Sequence, residues 1–575
     1  MPLINGALQI GRTGIITSQA ALAVTGNNMA NAATESYSRQ SPHLAPTQSM
    51  EVVPGQFTGT GVTMIDVVRQ VDDALNGRIR TAVGDSASYQ VQDQALARVE
   101  AAFNELTDSD LSTRLNAFFE AWSTLQNQPQ ETASRSVVLQ EGISLANAVR
   151  NLRGQMTSIQ NDLDAQVRFQ VSEADSLATE IARLNQQIVS TEAGRAGSSS
   201  ALRDQRDDLL KQLGQLINIR TNEVEGGAVN VYVGNDPLIQ YSTSRGLSYR
   251  ETIDDDGVAL AQVVFDDNDL EVSLSSGKLH GLITARDDQV GGTLAELDVW
   301  ASGLIFEVNK LHSLGAALDG YTSLTSSFSV ADPAEALSDM DASGLEWQVT
   351  NGVFTVNVTD STTGTTTATQ IKVDVGMGAT DTTLSDLAAA LNAVANISAS
   401  VNASNQLAIS ADSGFSFGFS APADSGDATN VLAALGVNTF FAGSNGDDIA
   451  LASELVGQPR KVVASASGLA GNGQVAGTIA QLGTTGVTSF NGVSIGEQLT
   501  SLVGRIGADA KAAQDNYTAS EVILHTLEAE RQSISGVSID EEAVNMIVFQ
   551  RAFQGAARFV GIVDEMLDEV IALAR

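Results

Sequence analysis

The sequence contains no cysteine, only four histidines and few aromatic side chains. Without cysteine there can be no disulfide, thiol nucleophile, iron–sulfur cluster or cysteine-ligated zinc site. The histidines lie too far apart along the chain to form a local metal motif: His43, His280, His312 and His525. An aromatic content of 5% is low for an enzyme pocket. No run of about 20 apolar residues occurs, so no membrane-spanning helix is predicted.

Basic side chains are also scarce, since 31 Lys and Arg stand against 68 Asp and Glu and the formal net charge is −37. A surface this acidic repels phosphate groups, so we predict neither nucleic acid nor a membrane as a partner. No nucleotide-binding, zinc-protease or serine-hydrolase motif is present. The acidic segments 254–257 and 266–269 lack the spacing of an EF-hand calcium loop. We therefore predict no enzyme activity, no cofactor and no metal site.

Large apolar side chains recur every seven residues near the start of the chain, a pattern typical of a coiled-coil helix. These residues are Leu8, Ile15, Leu22 and Met29. Small residues fill the alternate seam positions, at Gly11, Ser18 and Thr25. A partner helix could therefore approach this helix closely.

The end of the chain carries a second apolar stripe, with intervals of three and four residues. Its members are Met546, Phe549, Phe553, Val560, Val563, Leu567 and Val570. Ser538 and Glu541 have the spacing of a capping box, which predicts the start of this helix. Because these side chains are large where the first helix has small ones, we predict that the two ends pair as a terminal α-helical coiled coil.

The interior of the chain combines helical and strand patterns. Apolar residues at helical spacing predict a long helix over 131–191, in which Gly142 and Gly154 are candidate bends. Shorter helices are predicted over 86–106, 111–127, 202–217, 286–316 and 496–532. Alternating apolar runs predict strands within 219–275 and again within 321–469.

These patterns predict an elongated, multidomain α+β protein. The predicted divisions are a terminal coiled coil (1–45 with 535–575), a helix-rich rod body (46–320 with 470–534, including a β-rich part at about 219–275) and a β-rich variable insertion (321–469). The insertion is set apart by its many Ser, Thr, Gly and Asp residues and its near lack of Lys and Arg. Its Thr- and Gly-rich run 359–369 is typical of a hairpin loop.

Two segments near the ends of the chain carry a recognisable motif. The first contains Asn27, Asn28, Asn31, Thr34, Tyr37, Arg39 and Gln40, and the second runs from Asp540 to Gln554. This pattern resembles the terminal signatures of the bacterial flagellar rod, hook and hook-associated proteins, although Ser36 stands where that family usually has Gly. Residues 202–209 and 438–444 are similar to segments of the hook-associated members.

The resemblance implies a structural subunit of the flagellum that forms the junction between hook and filament. It would self-assemble through its terminal helices, and we expect their seams to have few partners until assembly buries them. The implied partners are other copies of the chain, the hook protein, a second hook–filament junction protein, an export chaperone on the C-terminal stripe and the flagellar type III export apparatus. The implied location is extracellular, reached without a cleavable signal peptide.

Two alternatives remain at this point. One is another axial flagellar subunit, such as a hook, rod or flagellin-like protein. The other, more remote, is an extracellular hydrolase carried in the insertion.

Overall fold

The computed structural model describes residues 2–53, 55–103, 110–192, 199–253, 257–376, 381–422, 428–469 and 471–573. The acidic residues 254–256 lie outside them. The described chain clusters into two compact units. Unit 1 comprises Met1–Gln94, Asp162–Arg286 and Ala512–Arg575, and unit 2 comprises Ala95–Asn161 and Asp287–Lys511. The predicted mixture of helices and strands is confirmed, while the three-part division of the chain stays a prediction.

The helices of the described residues follow the predicted positions in most places. In chain order they are α1 (Pro2–Ala30), α2 (Asp73–Phe103), α3 (Leu111–Asn127), α4 (Thr132–Thr191), α5 (Ser200–Leu216), α6 (Lys278–Thr284), α7 (Gly292–Ser313), α8 (Met340–Ser343), α9 (Leu384–Asn392), α10 (Val431–Leu435), α11 (Gln474–Gln481), α12 (Ile495–Ser535) and α13 (Ile539–Leu573). A π-helical turn, Ala285–Gly291, joins α6 to α7.

The long helix α4 confirms the helix predicted over 131–191. Its apolar residues at intervals of three and four are buried: Leu145, Val149, Leu152, Met156, Ile159 and Leu163. Gly142 does not interrupt α4 but serves close packing, because a Cβ added there would lie 2.6 Å from a ring atom of Phe440. At Gly154 an added Cβ would meet nothing within 4 Å.

Two helix predictions need correction. The helix predicted from residue 86 begins at Asp73, because Leu75, Ile79 and Val83 already form a buried stripe with Leu527 of α12. The helix predicted over 286–316 is shorter at its end and continues backwards through the π-helical turn into α6.

The strands form small antiparallel sheets. They are β1 (Gln40–Pro46), β2 (Met50–Val53), β3 (Gln56–Thr58), β4 (Val62–Arg69), β5 (Ile219–Glu223), β6 (Val229–Val233), β7 (Asp236–Gln240), β8 (Thr243–Ser244), β9 (Leu247–Ile253), β10 (Ala259–Phe265), β11 (Ser323–Thr325), β12 (Gly352–Asp360), β13 (Thr366–Val373), β14 (Ile397–Val401), β15 (Leu407–Ala411), β16 (Phe415–Ser420), β17 (Phe441–Ala442) and β18 (Ala450–Leu451).

In unit 1, the sheet β5-β6-β7-β8 and the hairpin β9–β10 confirm the β-rich part predicted at 219–275. The pairs β1–β4 and β2–β3 were not predicted. In unit 2, the sheets β13-β12-β16 and β11-β15-β14 lie within residues 321–469. The loop predicted over 359–369 is shorter, because β12 extends to Asp360 and β13 begins at Thr366.

The insertion has an apolar core whose buried residues run from Tyr321 to Val437. The following residues pack elsewhere in unit 2: the Phe440 ring centroid lies 5.6 Å from that of Phe118 and 5.3 Å from that of Trp122, both on α3. The segment after Val437 is therefore part of the packing around α3.

Candidate assembly site at the chain termini

The first and last helices pack against each other in an antiparallel pair within unit 1. Gly11 faces Val560, and Asn28 lies at the start of α13 beside Glu542. An added Cβ on Gly11 would collide with a methyl group of Val560, and one on Gly14 would lie 3.2 Å from the Ala556 Cβ. The small residues of α1 thus let α13 approach closely, as we predicted for the pairing of these two helices.

Most of the large residues predicted for the two seams are only partly buried in this contact. On α1 the fully buried positions are small or polar: Gly11, Thr17, Ser18, Ala21, Thr25 and Asn28. The heptad residues of α1 are only half-buried: Leu8, Ile15, Leu22 and Met29. On α13, Val563 is buried, Val570 is 41% exposed, and the others are half-buried: Met546, Phe549, Phe553, Val560 and Leu567. The expectation that these side chains have few partners in a single chain is wrong, because α1 and α13 already pack together.

The motif residues form a polar cluster that joins the end of α1 to the start of α13. Asn28 Nδ2 donates to Glu542 Oε2 at 3.0 Å, and Arg39 Nε donates to Glu542 Oε1 at 2.9 Å. The Tyr37 hydroxyl donates to Asn28 Oδ1 at 2.7 Å, and the Gln40 N–H donates to the same oxygen at 3.0 Å. Glu542 is 2% and Asn28 1% exposed. We call Asn28, Tyr37, Arg39, Gln40 and Glu542 the terminal clamp.

The turn after α1 is held by the other motif residues. Asn31 Nδ2 donates to the Asn27 carbonyl at 2.9 Å, and the Thr34 N–H donates to the Asn31 carbonyl at 2.9 Å. Ser36 is not among the described residues with positive φ, so a side chain is tolerated there without backbone strain. Burial and the carboxylate of Asp204 raise the pKa of Tyr37 to about 12, which keeps its hydroxyl protonated as a donor.

The segment 202–209, on α5, holds the end of β4, the strand that pairs with β1. Arg69 Nη1 donates to Asp204 Oδ1 at 2.7 Å and to Asp207 Oδ2 at 2.8 Å. Burial raises the pKa of Asp204 although Arg69 opposes the effect. Arg206 is buried and donates to the Gly227 carbonyl at 2.6 Å, toward the sheet β5-β6-β7-β8. These charged residues therefore contribute to the packing of unit 1.

The segment 438–444 has a comparable structural role in unit 2. Asn438 Nδ2 donates to the Ser313 carbonyl at 3.0 Å, at the end of α7. The neighbouring His312 makes two hydrogen bonds. Its Nε2 accepts the Val463 N–H at 3.1 Å, so its Nδ1 donates to the Asn438 carbonyl, at 2.8 Å. Burial lowers the pKa of His312 to about 4, so the ring is neutral and its proton is on Nδ1.

Sequence reasoning found the motif residues of α1 but not their partner Glu542. Glu541 and Glu542 lie inside the recognised C-terminal segment, so the sequence did mark this region. No local pattern, however, reveals a contact between residues 514 positions apart. Among the described residues, no three His, Cys, Asp or Glu side chains are placed to hold a metal ion. No helix in the described part of the chain is long and apolar enough to span a membrane.

Two family models match parts of this chain, one in its helix-rich interior and one at its last helix. Residues 96–328 match the family described as flagellar hook-associated protein FlgK helical domain, and residues 529–573 match the family described as flagellar basal body rod FlgEFG protein C-terminal. The chain thus has the features of the bacterial flagellar rod, hook and hook-associated proteins.

Full-length relatives point to one member of that class. The chain is 27% identical to flagellar hook-associated protein 1 of Bacillus subtilis (strain 168), covering 98% of this chain and 97% of the relative. It is 24% identical to the protein of the same name from Escherichia coli (strain K12), covering 99% of both chains. These matches confirm the resemblance to flagellar hook-associated protein 1.

A solved structure supports the fold. The flagellar hook junction protein FlgK from Burkholderia pseudomallei superposes with a TM-score of 0.52 at 14% identity, covering 80% of this chain and all of the other. At that identity the likeness concerns the fold alone.

Proposed function

We propose that this chain is a structural subunit of the bacterial flagellum and forms the junction between hook and filament. The observation that carries the proposal is the likeness, over nearly the full length, to relatives named flagellar hook-associated protein 1. No catalytic step is part of the proposed role, which depends on shape and on contacts between subunits.

The terminal pair α1–α13 supplies the surface for self-assembly. The terminal clamp fixes how far the two helices slide past each other, because its buried acceptor Glu542 must meet donors from both Asn28 and Arg39. The half-buried and exposed apolar side chains along the pair remain available to neighbouring copies. Burying them in the assembly would provide the hydrophobic driving force for association.

The further partners follow from the resemblance. The subunit would contact the hook protein on one side and a second hook–filament junction protein on the other. Before export through the flagellar type III apparatus, a chaperone would cover the apolar residues of α13, as an amphipathic helix in a groove. The chain would act outside the cell and reach that place without a cleavable signal peptide.

The chaperone proposal has a direct test. A chain ending near residue 535 lacks α13 and should lose binding to the chaperone in a pull-down from the bacterium that makes both. A control truncation of the insertion should keep it. Full binding by the chain that ends near 535 would contradict this part of the proposal.

The insertion would project from the body as a separable domain. Its own apolar core from Tyr321 to Val437 supports independence. The packing of Phe440 on Phe118 favours a boundary near 437 over the predicted end at 469. The body would then comprise 46–320 with 470–534 and the returning segment between 438 and 469.

Deletion of the gene in its own bacterium tests the function. We expect cells with complete hooks but no filaments, flagellin released into the medium, and recovery when the gene is restored. Immunogold labelling in electron micrographs should place the restored protein at the hook–filament junction. Normal filaments on cells that lack the chain would refute the proposal.

A further inference from the structure

The sheet β13-β12-β16 of the insertion ends in a strand whose outer side is open. Among the described residues, β12 is the one strand that pairs with β13, Thr366–Val373. β13 is eight residues long, whereas strands of globular proteins commonly have about five or six residues. An open strand edge presents backbone N–H and C=O groups to which another strand can bind.

The hydrogen bonds at the two ends of β13 show which of its backbone groups point away from β12. At one end, the Asp360 N–H donates to the Thr365 carbonyl at 3.0 Å, so odd-numbered residues face β12. At the other end, the Asp374 N–H donates to Thr382 Oγ1 at 2.9 Å and the Asp374 carbonyl accepts the Thr382 N–H at 2.7 Å, on the side away from β12. Because the direction alternates along an antiparallel strand, the outward-facing groups between these ends belong to even-numbered residues. They are Thr366, Ala368, Gln370 and Lys372.

The composition of β13 leaves this edge less protected than the edges of other sheets. Proline and charged side chains are the usual means by which proteins discourage pairing at an edge. β1 contains two prolines, and β9 contains Arg250 and Glu251. In β13, Lys372 is the one charged side chain, and the preceding residues 361–371 have no charge. Its Thr, Ile and Val residues also favour the extended conformation of a strand.

We propose that β13 binds β13 of a second copy of this chain, antiparallel and centred on Thr369. In this register Thr366 of each copy lies opposite Lys372 of the other, and Ala368 lies opposite Gln370. All four outward-facing residues of each strand are then paired, and no two charges lie opposite each other. The edge is closed at Asp374 by Thr382, so a shift of the register toward that end would lose pairs.

The charge of the insertion makes this contact dependent on salt. Lys372 is the one Lys or Arg between Lys310 and Arg460, whereas Asp and Glu are frequent there. Two insertions therefore repel each other at low ionic strength, because charges interact over about 10 Å in 0.1 M salt but only about 3 Å in 1 M salt. β13 itself has no carboxylate, so its edges can pair once salt screens the repulsion between the insertions.

This contact goes beyond the proposed function, because it involves none of the terminal helices. A two-fold contact joins two copies and then closes, whereas a ring needs a head-to-tail contact that repeats from one subunit to the next. β13 therefore provides a separate association, in which two subunits join through their insertions.

The first test uses single cysteines in the full chain, which has no cysteine of its own. Thr369→Cys places its thiol at the centre of the contact, where opposite Cα atoms of a non-hydrogen-bonded pair lie about 4.5 Å apart, close enough for a disulfide. Thr367→Cys is the matched control, because residue 367 lies opposite residue 371 and the two thiols are about 13 Å apart along the strands. Thr367 is also more exposed than Thr369, so random collisions would favour the control.

The dimer is measured on non-reducing gels after mild oxidation of the purified chains. In about 1 M NaCl, where charge repulsion is screened, we expect about tenfold more disulfide-linked dimer from Thr369→Cys than from Thr367→Cys. In about 0.1 M NaCl the dimer of Thr369→Cys should decrease severalfold. Equal amounts of dimer from the two variants, or no dimer from Thr369→Cys in 1 M NaCl, would overturn this inference.

The second test closes the edge without removing a bond inside the chain. Ala368→Pro deletes an N–H that points away from β12, and proline is tolerated at such edge positions. Added to the Thr369→Cys chain, it should abolish the dimer while the circular dichroism stays unchanged. Undiminished dimer in this double variant would contradict pairing through β13. Neither test involves the hook–filament junction, which the gene deletion examines separately.

Discussion

Removing the Glu542 carboxylate tests whether the terminal clamp holds α1 on α13. Glu542→Ala deletes the acceptor of both Arg39 Nε, at 2.9 Å, and Asn28 Nδ2, at 3.0 Å. Since Glu542 is 2% exposed, neither donor gains an easy replacement from water. Removing one partner of a buried, hydrogen-bonded ion pair costs about 3–5 kcal/mol. The guanidinium of Arg39 keeps some contact with solvent, so we expect the lower end, about 3 kcal/mol.

The adjacent residue provides the control. Glu541 accepts from the same guanidinium, through Arg39 Nη1 at 2.8 Å, but its side chain is 63% exposed. An exposed ion pair contributes only about 0–1 kcal/mol. Glu541→Ala and Glu542→Ala remove the same charge from the first turn of α13, so any general effect of that charge on the helix is similar in both.

Amide hydrogen exchange of residues 539–573 in the full chain is the suitable measurement. The chain contains two compact units, so a single melting midpoint would mix their stabilities. A loss of about 3 kcal/mol in the terminal pair should speed exchange in α13 roughly a hundredfold in Glu542→Ala, and less than about tenfold in Glu541→Ala. Equal exchange rates in the two variants would show that the clamp does not hold the helices together.

Three further predictions concern unit 2. Burial lowers the pKa of His312 from 6.5 to about 4, so the unfolded chain takes up the proton first. The free energy of unfolding should therefore fall by up to about 3 kcal/mol as the pH falls from 6.5 toward 4. In urea unfolding, His312→Gln should lack this part of the pH dependence. The same pH dependence in His312→Gln and in the unmodified chain would contradict the role given to His312. In urea unfolding, Gly142→Ala should lower the free energy of unfolding by about 1–3 kcal/mol, because the added methyl group clashes with the buried ring of Phe440. Gly154→Ala, in the same helix, should raise it by about 0.5–1 kcal/mol. Replacing residues 322–436 with a short linker should preserve the helical circular dichroism of the remaining body, whereas deleting 321–469 should reduce it. A smaller loss of helical signal from the longer deletion would refute a boundary near 437.

The helices were predictable where one apolar face continues without interruption. In α4 the residues from Leu145 to Leu163 repeat at helical spacing and every one is buried, so pattern and structure agree. The start of α2 was missed because Gly77 and Gly84 interrupt the pattern between its buried residues. At Gly84 the reason is tertiary, since an added Cβ would lie 2.7 Å from the Gly214 carbonyl of α5.

The strands between α1 and α2 could not be predicted from alternation. Pro42 and Pro46 lie in β1, and Phe57 and Ile65 are exposed on β3 and β4, so neither face shows a clean polar and apolar division. These strands are fixed by α1 instead, for example through the bond from Thr17 to the Val62 carbonyl. A local pattern cannot reveal a strand whose position depends on a distant helix.

The same limit applies to the assembly site. Heptad spacing correctly indicated that the ends of the chain pair, but it did not indicate which residues face inward. Because small residues of α1 make the close contact, Leu8 and Leu22 are left at its edge, and Val570 lies with the exposed residues of α13.

The terminal clamp can form only after α13 has been synthesised. A ribosome makes α1 before α13, and the bond from Asn28 to Glu542 joins positions 514 residues apart. Until the final helix exists, Gly11 and Gly14 have no surface to close on and Asn28 has no carboxylate to bind. A chain that is cut short anywhere before Glu542 would carry an intact first helix that cannot pair. Only a chain that extends through α13 presents the pair of helices.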